Sequence, residues 1–193
     1  LLPENSYGDV LTVMSLGAPK RVTNGQPVTA NMNATPWGIS CAQIEHGGIT
    51  NVKWESCLMR SSTIPQYIAR LPQETQKVIG YVQKVTGTYN GNTSGGKVSA
   101  TGDKCFLLSE KEVFGTGKFC TENEAKVTFQ YQYFQSIATT PASRNINSSA
   151  NQWWWLRSPG YNNSGNFCYV STGSSDADDA SSGKGVFAAF CIY

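Results

Sequence analysis

"WWWLRSPGYNNSGNFCYVSTGSSDADDASSGKGVFAAFCIY" (153–193) ends the chain. Three tryptophans run straight into a long polar, turn-prone tract, after which the sequence turns apolar again. Trp153–Leu156 and Gly185–Tyr193 read as buried strands. The stretch between them, 161–183, contains no Glu, Lys, Gln, Met or Trp. Those five types fill 36 of the 193 positions. A window of this length would lack all five by chance about once in 100. Such a composition usually marks a linker or disorder. Its position argues otherwise, because each flanking strand needs a partner. Paired with one another, the two flanks would hold the polar tract out from a core as a tethered surface.

Upstream, residues 1–50 are rich in Gly, Pro, Thr and Asn with short apolar bursts such as Val10–Leu16, which reads as strands and turns of the same domain. The segment 51–193 reads as the main domain. From Thr63 to Val85 the pattern is helical, with Ile64, Ile68 and Leu71 on one face and Val78, Ile79, Val82 and Val85 on another. Pro72 separates two helices or kinks one. Cys105–Leu108 is a short buried element. Ser109 and Glu112 then have capping-box spacing, and Gly115 and Gly117 close the short helix they start. The aromatic run 127–136 fits strand or helix, and 87–96 and 139–152 are loops by composition. Helices in mid-chain with strands at the ends predict an α+β fold.

Charge is low, at 15% Asp, Glu, Lys and Arg with a net of +2. No basic stripe points to nucleic acid, and no apolar run is long enough for membrane insertion. The chain opens at Leu1 with no signal-like stretch, which reads as a trimmed chain or a fragment. Six cysteines, with no C-x-x-C, and the single histidine, His46, do not make a zinc site. The cysteines read as small buried hydrophobes, with a Cys41–Cys57 or Cys168–Cys191 disulfide left open. Asp176, Asp178 and Asp179 lack the spacing of a calcium loop and read as a solvated face, so no metal and no cofactor is expected. Four Asn-x-Ser/Thr sequons, at Asn33, Asn92, Asn147 and Asn162, are chance matches in an Asn- and Ser-rich chain. Trp154, or the pair Trp153 and Trp155, reads as core, because successive strand residues face opposite ways. Arg157 reads as a structural arginine.

The tail resembles a known family. "WWLRSPG", a variable polar stretch and "GV-x-x-AF-C-I" are similar to the C-terminal variable region of diversity-generating retroelement target proteins. These belong to a broader phage and bacterial group with a C-type-lectin-like fold. "WESCLMRSS…LPQETQKVI" and "DKCFLLSEKEVFG" also resemble that group's pattern. The likeness runs from about Trp54 to Tyr193. It departs at Phe187-Ala188, where family members commonly carry Arg-Pro. The resemblance implies a C-type-lectin-like fold of small antiparallel sheets, two main helices and a loop-rich variable face. It also accounts for the composition. Template adenines in Asn codons are copied with errors, and those errors cannot produce Glu, Lys, Gln, Met or Trp. Lys184 therefore places the end of the variable region, about 161–183, just before itself.

The implied function is ligand binding by a diversified surface. Tyr161, Phe167 and Tyr169 are expected to supply contact area at low entropic cost. Asn162, Asn163, Ser164, Asn166, Ser171, Thr172, Ser174, Ser175, Asp176, Asp178, Asp179, Ser181 and Ser182 are expected to supply adaptable hydrogen bonds. Trp154, Trp155 and Arg157 are expected to be structural. The expected partner is a protein or glycan on a bacterial surface, bound by a phage receptor-binding or virion structural protein at the virion surface. A bacterial cell-surface adhesin is the alternative, and a homo-oligomer stays open. A formylglycine-generating-type enzyme or a calcium-dependent lectin would share the fold, but neither one's motifs are present, and no catalytic residue is expected.

Overall fold

Ten short strands and five short helices, with a 3₁₀ turn and a π turn, make up a computed structural model that describes residues 11–14, 29–30, 52–89, 96–136, 153–161, 163, 165–171 and 174–193. His46, Cys41, the sequons at Asn33, Asn92, Asn147 and Asn162, and the loop 139–152 lie outside these residues. The strand order is β1 (Leu11–Met14), β2 (Thr29–Ala30), β3 (Ile79–Gly80), β4 (Val82–Gly87), β5 (Val98–Asp103), β6 (Trp154–Pro159), β7 (Asn166–Val170), β8 (Ser175–Asp179), β9 (Lys184–Gly185) and β10 (Ala189–Ile192). The helices are α1 (Ile64–Ile68), α2 (Gln73–Val78), α3 (Glu110–Phe114), α4 (Glu122–Val127) and α5 (Gln132–Ser136). The 3₁₀ turn is Trp54–Ser56, and the π turn Met59–Thr63 runs into α1. The architecture is mixed α+β with several small sheets.

Three sheets organise the described residues: β1-β10-β3, β2-β9-β6-β7-β8 and the β4-β5 hairpin. The first pairs the N-terminal strand with the C-terminal one, Thr12 opposite Cys191. The flanks of the polar tract do not form one continuous pair. β9 lies parallel to β6 through Trp154 and Gly185, while β10 leaves for the other sheet and bridges Phe106 through Ala189. The terminal apolar segment is therefore two strands, not one, and it stitches two sheets together.

Two expectations fail on periodicity. Residues 63–85 are not helical throughout: α1 and α2 end at Ile68 and Val78, and Ile79 onward is strand. Val78, Ile79, Val82 and Val85 fit a helical face on paper, but Gly80 and the β-branched residues around it favour extended chain. In β4, Val82, Lys84 and Thr86 are buried while Gln83 is exposed and Val85 half-buried, the period of two that a strand imposes. Nor are there two main helices: every helix among the described residues is five or six residues long. The capping box holds. Ser109 Oγ accepts from the Glu112 N–H, and Glu112 accepts from the Ser109 N–H. Gly115 ends the helix with φ of 73°. The ambiguous run 127–136 ends α4 and supplies α5.

The core collects Trp54, Met59, Ile64, Phe106, Leu107 and Trp154, each at most 1% exposed. Phe187 also lies here, its ring 5.3 Å from that of Trp154, so the corner where the tail departs from the family pattern is packed. Trp154→Ala should destabilise the protein by about 3–5 kcal/mol, measured as a fall in the urea midpoint at unchanged m-value.

Candidate functional site

The polar tract folds as a β-hairpin. Its start is tied down by Gly160 N–H to Asn166 O (2.8 Å) and Tyr161 N–H to Phe119 O (2.8 Å). β7 and β8 pair in continuous register from Asn166↔Asp179 to Val170↔Ser175. Ser171 closes the far turn, its hydroxyl donating to Ser174 O (2.8 Å). The register sorts the residues into faces, because directly opposed residues point the same way. Trp155, Tyr169 and Asp176 form one row across the sheet, and Trp154, Val170 and Ser175 form the next, on the opposite face.

The expected binding residues divide by this geometry. Asn163, Ser174, Asp176, Asp179 and Ser181 are exposed; Tyr161, Asn166, Ser171, Asp178 and Ser182 are half-buried. Phe167 is fully buried, and Tyr169 and Ser175 are nearly so, so these three belong to packing and not to an open surface. Phe167 and Tyr169 on one face of the sheet, and Ser175 on the other, are covered by packing, which composition alone does not show. Asn162, Ser164 and Thr172 lie outside the described residues.

Two neighbours of the tract join this face. Trp153 is 44% exposed and its ring lies 5.6 Å from that of Tyr169. Lys184 is buried, and its ammonium stands 4.7 Å from the Tyr169 ring centre, 5.3 Å from Trp153 and 5.4 Å from Trp155. The same ammonium donates to Asp178 Oδ2. Burial pushes the Asp178 carboxyl up, but hydrogen bonds from Lys184, Ser182 and the Asp179 N–H, with the Lys184 charge, hold it below its ordinary value. Tyr169 donates to Asp176 Oδ2 (3.2 Å). Burial and the Asp176 charge push its phenol up to about 12. Sequence pattern singles out neither Trp153 nor Lys184 as part of the face; their position at the ends of the tract was the available signal.

A buried ionic network centres on Arg157 and Glu112. Arg157 donates to both oxygens of Glu112, by Nη1 to Oε2 and by Nη2 to Oε1 (2.9 Å). It also donates to Thr86 Oγ1 (3.0 Å), Leu107 O (2.9 Å) and Val85 O (3.3 Å). Lys84 reaches Glu112 Oε1 (3.1 Å) and Tyr131 Oη (2.9 Å). Ser158, the next residue, accepts from the Glu110 N–H (2.9 Å) and donates to Glu124 Oε1. Glu124 Oε2 accepts from the Gly87 N–H (2.6 Å). A Cβ on Gly87 would sit 2.3 Å from Thr121 Oγ1, so only glycine lets β4 approach that carboxylate. Glu110 in turn accepts from the Phe119 and Cys120 N–H groups (2.9 and 2.6 Å). Burial pushes the Glu124 carboxyl up to about 7, against the Arg157 charge and its two hydrogen bonds.

Cys57, Cys105, Cys120, Cys168 and Cys191 are buried free thiols, so Cys168 and Cys191 are not bridged. Burial raises Cys57 to about 12 and pushes Cys105, Cys120 and Cys168 higher still. Among the described residues no three His, Cys, Asp or Glu side chains are placed to hold a metal, and no helix is long and apolar enough to cross a membrane.

Residues 39–193 match the family described as Domain of unknown function (DUF6273), and the chain belongs to that family. No curated protein and no solved structure matches the chain.

The network carries a pH signature. Glu124 ionises near 4.5 when unfolded but only near 7 when folded. The contribution of Glu124 to stability is therefore fully present below pH 4.5 and falls by about 3 kcal/mol as pH rises to 7. Glu124→Gln should remove this slope in urea midpoints taken from pH 4.5 to 7.5; an unchanged slope would place the titration elsewhere.

Proposed function

We propose that this protein binds ligands through a diversified surface carried on a C-type-lectin-like scaffold. The observation that carries the reading is a coincidence of composition and geometry. The tract that lacks Glu, Lys, Gln, Met and Trp is the tract that forms the β7–β8 hairpin, and its Asn163, Ser174, Asp176, Asp179 and Ser181 face solvent. Residues outside the tract (Arg157, Ser158, Glu110, Glu112 and Glu124) supply the buried network that supports it. The exposed set can change at little cost to that support. Small polar and acidic side chains, with an exposed indole at Trp153, suit a protein or glycan epitope.

The resemblance of the tail to retroelement-diversified proteins supports a phage setting for this surface, as a receptor-binding or virion structural protein. A bacterial cell-surface adhesin is the alternative setting. A non-enzymatic role is favoured by Cys57, Cys105, Cys120 and Cys168, whose burial leaves little thiolate at neutral pH.

A near-duplicate of the coding segment for 154–193, differing mainly at adenines and lying beside a reverse-transcriptase gene, is expected in the surrounding DNA. Labelled protein should also bind cells of at least one strain in a bacterial panel by flow cytometry. Replacing Asn163, Ser174, Asp176 and Ser181 together by Ala should abolish that signal while moving stability by no more than about 1 kcal/mol. Undiminished binding by the replaced protein would contradict the assignment of the face.

A further inference from the structure

Lys184 sits at the boundary between scaffold and tract, and its surroundings come from both. Trp153 and Trp155 belong to the strand before the tract, whereas Tyr169 and Asp178 lie within it. The Lys184 side chain is only 6% exposed. A buried ammonium is costly without a counter-charge and donors' partners in place. Here Asp178 supplies the charge, and three aromatic rings between 4.7 and 5.4 Å supply cation–π contacts. Asp178 stands directly opposite Phe167 in the hairpin, and Asp176 directly opposite Tyr169. The ammonium therefore holds both strands of the hairpin, β7 through the Tyr169 ring and β8 through Asp178, against the face of β6.

We infer that Lys184 is a positioning residue of the hairpin, whose caged ammonium requires an acid at 178 and an aromatic ring at 169 and leaves positions such as 163 and 176 free to vary. This deepens the binding-face reading and rests on it for the role of those free positions in ligand recognition. It also divides the tract into two kinds of position that composition treats alike. Asp176, two residues away on the same face, is exposed and engages the Tyr169 hydroxyl, not the lysine. Asn163 is exposed in the turn and accepts from the Gly165 N–H at its own side-chain oxygen (2.9 Å). Neither is required by a buried charge.

The test is a displayed full-chain library randomised at 163, 169, 176 and 178 and selected for protease resistance, made in the Lys184 and the Lys184→Met backgrounds. In the Lys184 background, acids at 178 and aromatics at 169 should be enriched by about tenfold, with 163 and 176 still mixed. In the Lys184→Met background the preference for acids at 178 should vanish, since a thioether packs on the rings without needing a counter-charge. As a second readout, purified Asp178→Asn should raise the unfolding constant about 30-fold, and adding Lys184→Met should recover most of that loss. Position 178 as mixed as 163 in the first background, acid enrichment persisting in the second, or additive single and double variants would each overturn the inference. Ligand binding enters neither readout. A failed coupling leaves the binding face standing, and a failed binding experiment leaves the coupling standing.

Discussion

The bidentate pair between Arg157 and Glu112 is fully buried on both sides, and the placement of β6 depends on it. Two desolvated charges are expensive, and their attraction offsets the cost only when the remaining donors and lone pairs are also satisfied. They are satisfied here by Thr86, the Val85 and Leu107 carbonyls, Lys84 and the Ser109 N–H. One guanidinium thereby joins β6, β4, the 105–108 segment and α3. The consequence reaches further than cohesion. A slip of one residue in β6 would turn every side chain to the opposite face. Trp154 would leave its contact with Phe187, and Trp155 would leave the lysine cage. Arg157 cannot move one position without abandoning Glu112, so the ion pair sets which tryptophan faces the core and which faces the hairpin.

From that register the division of the molecule follows. Ser158 carries the network outward to Glu110 and Glu124, and the Glu110 carboxylate holds the 119–120 backbone, whose Phe119 carbonyl receives the Tyr161 N–H. The tract is thus anchored at its first residue by atoms of the scaffold. At its other end Lys184 anchors it through Asp178 and Tyr169. Between these anchors the hairpin is built from backbone hydrogen bonds, which any residue but proline can make. A sequence can change along such a strand, on its outward face, without changing the strand.

Much of this was legible in the sequence. The Ser109–Glu112 capping box reads directly from its spacing. The absence of five residue types from 161–183 singles out the tract that forms the β7–β8 hairpin, but shows neither the hairpin nor the burial of β7. What did not read were features set by long-range contacts. Val78, Ile79, Val82 and Val85 fit a helical face on paper, but only Val78 is helical: Ile79 pairs with β10 and Val82–Gly87 pair with 98–103, and those partners decide for strand. Phe167 and Tyr169 are good paratope residues by type, yet packing on their face of the sheet covers them. Glu112 reads as half of a cap, and nothing local reveals that its second task is to neutralise an arginine 45 residues away. Lys184 reads as a boundary marker, and only the fold shows it as a contact.

The central claim is that stability resides in the buried network and tolerance to change in the exposed positions of the hairpin and its turns. Urea unfolding of two full-length variants, measured side by side, tests it most directly. Arg157→Met removes the bidentate counter-charge of buried Glu112 and should cost about 3–5 kcal/mol. Simultaneous replacement of Asn163, Ser174, Asp176, Asp179 and Ser181 by other small polar residues should cost no more than about 1 kcal/mol. A near-neutral Arg157→Met, or a hairpin variant that loses as much stability as the arginine variant, would contradict the account.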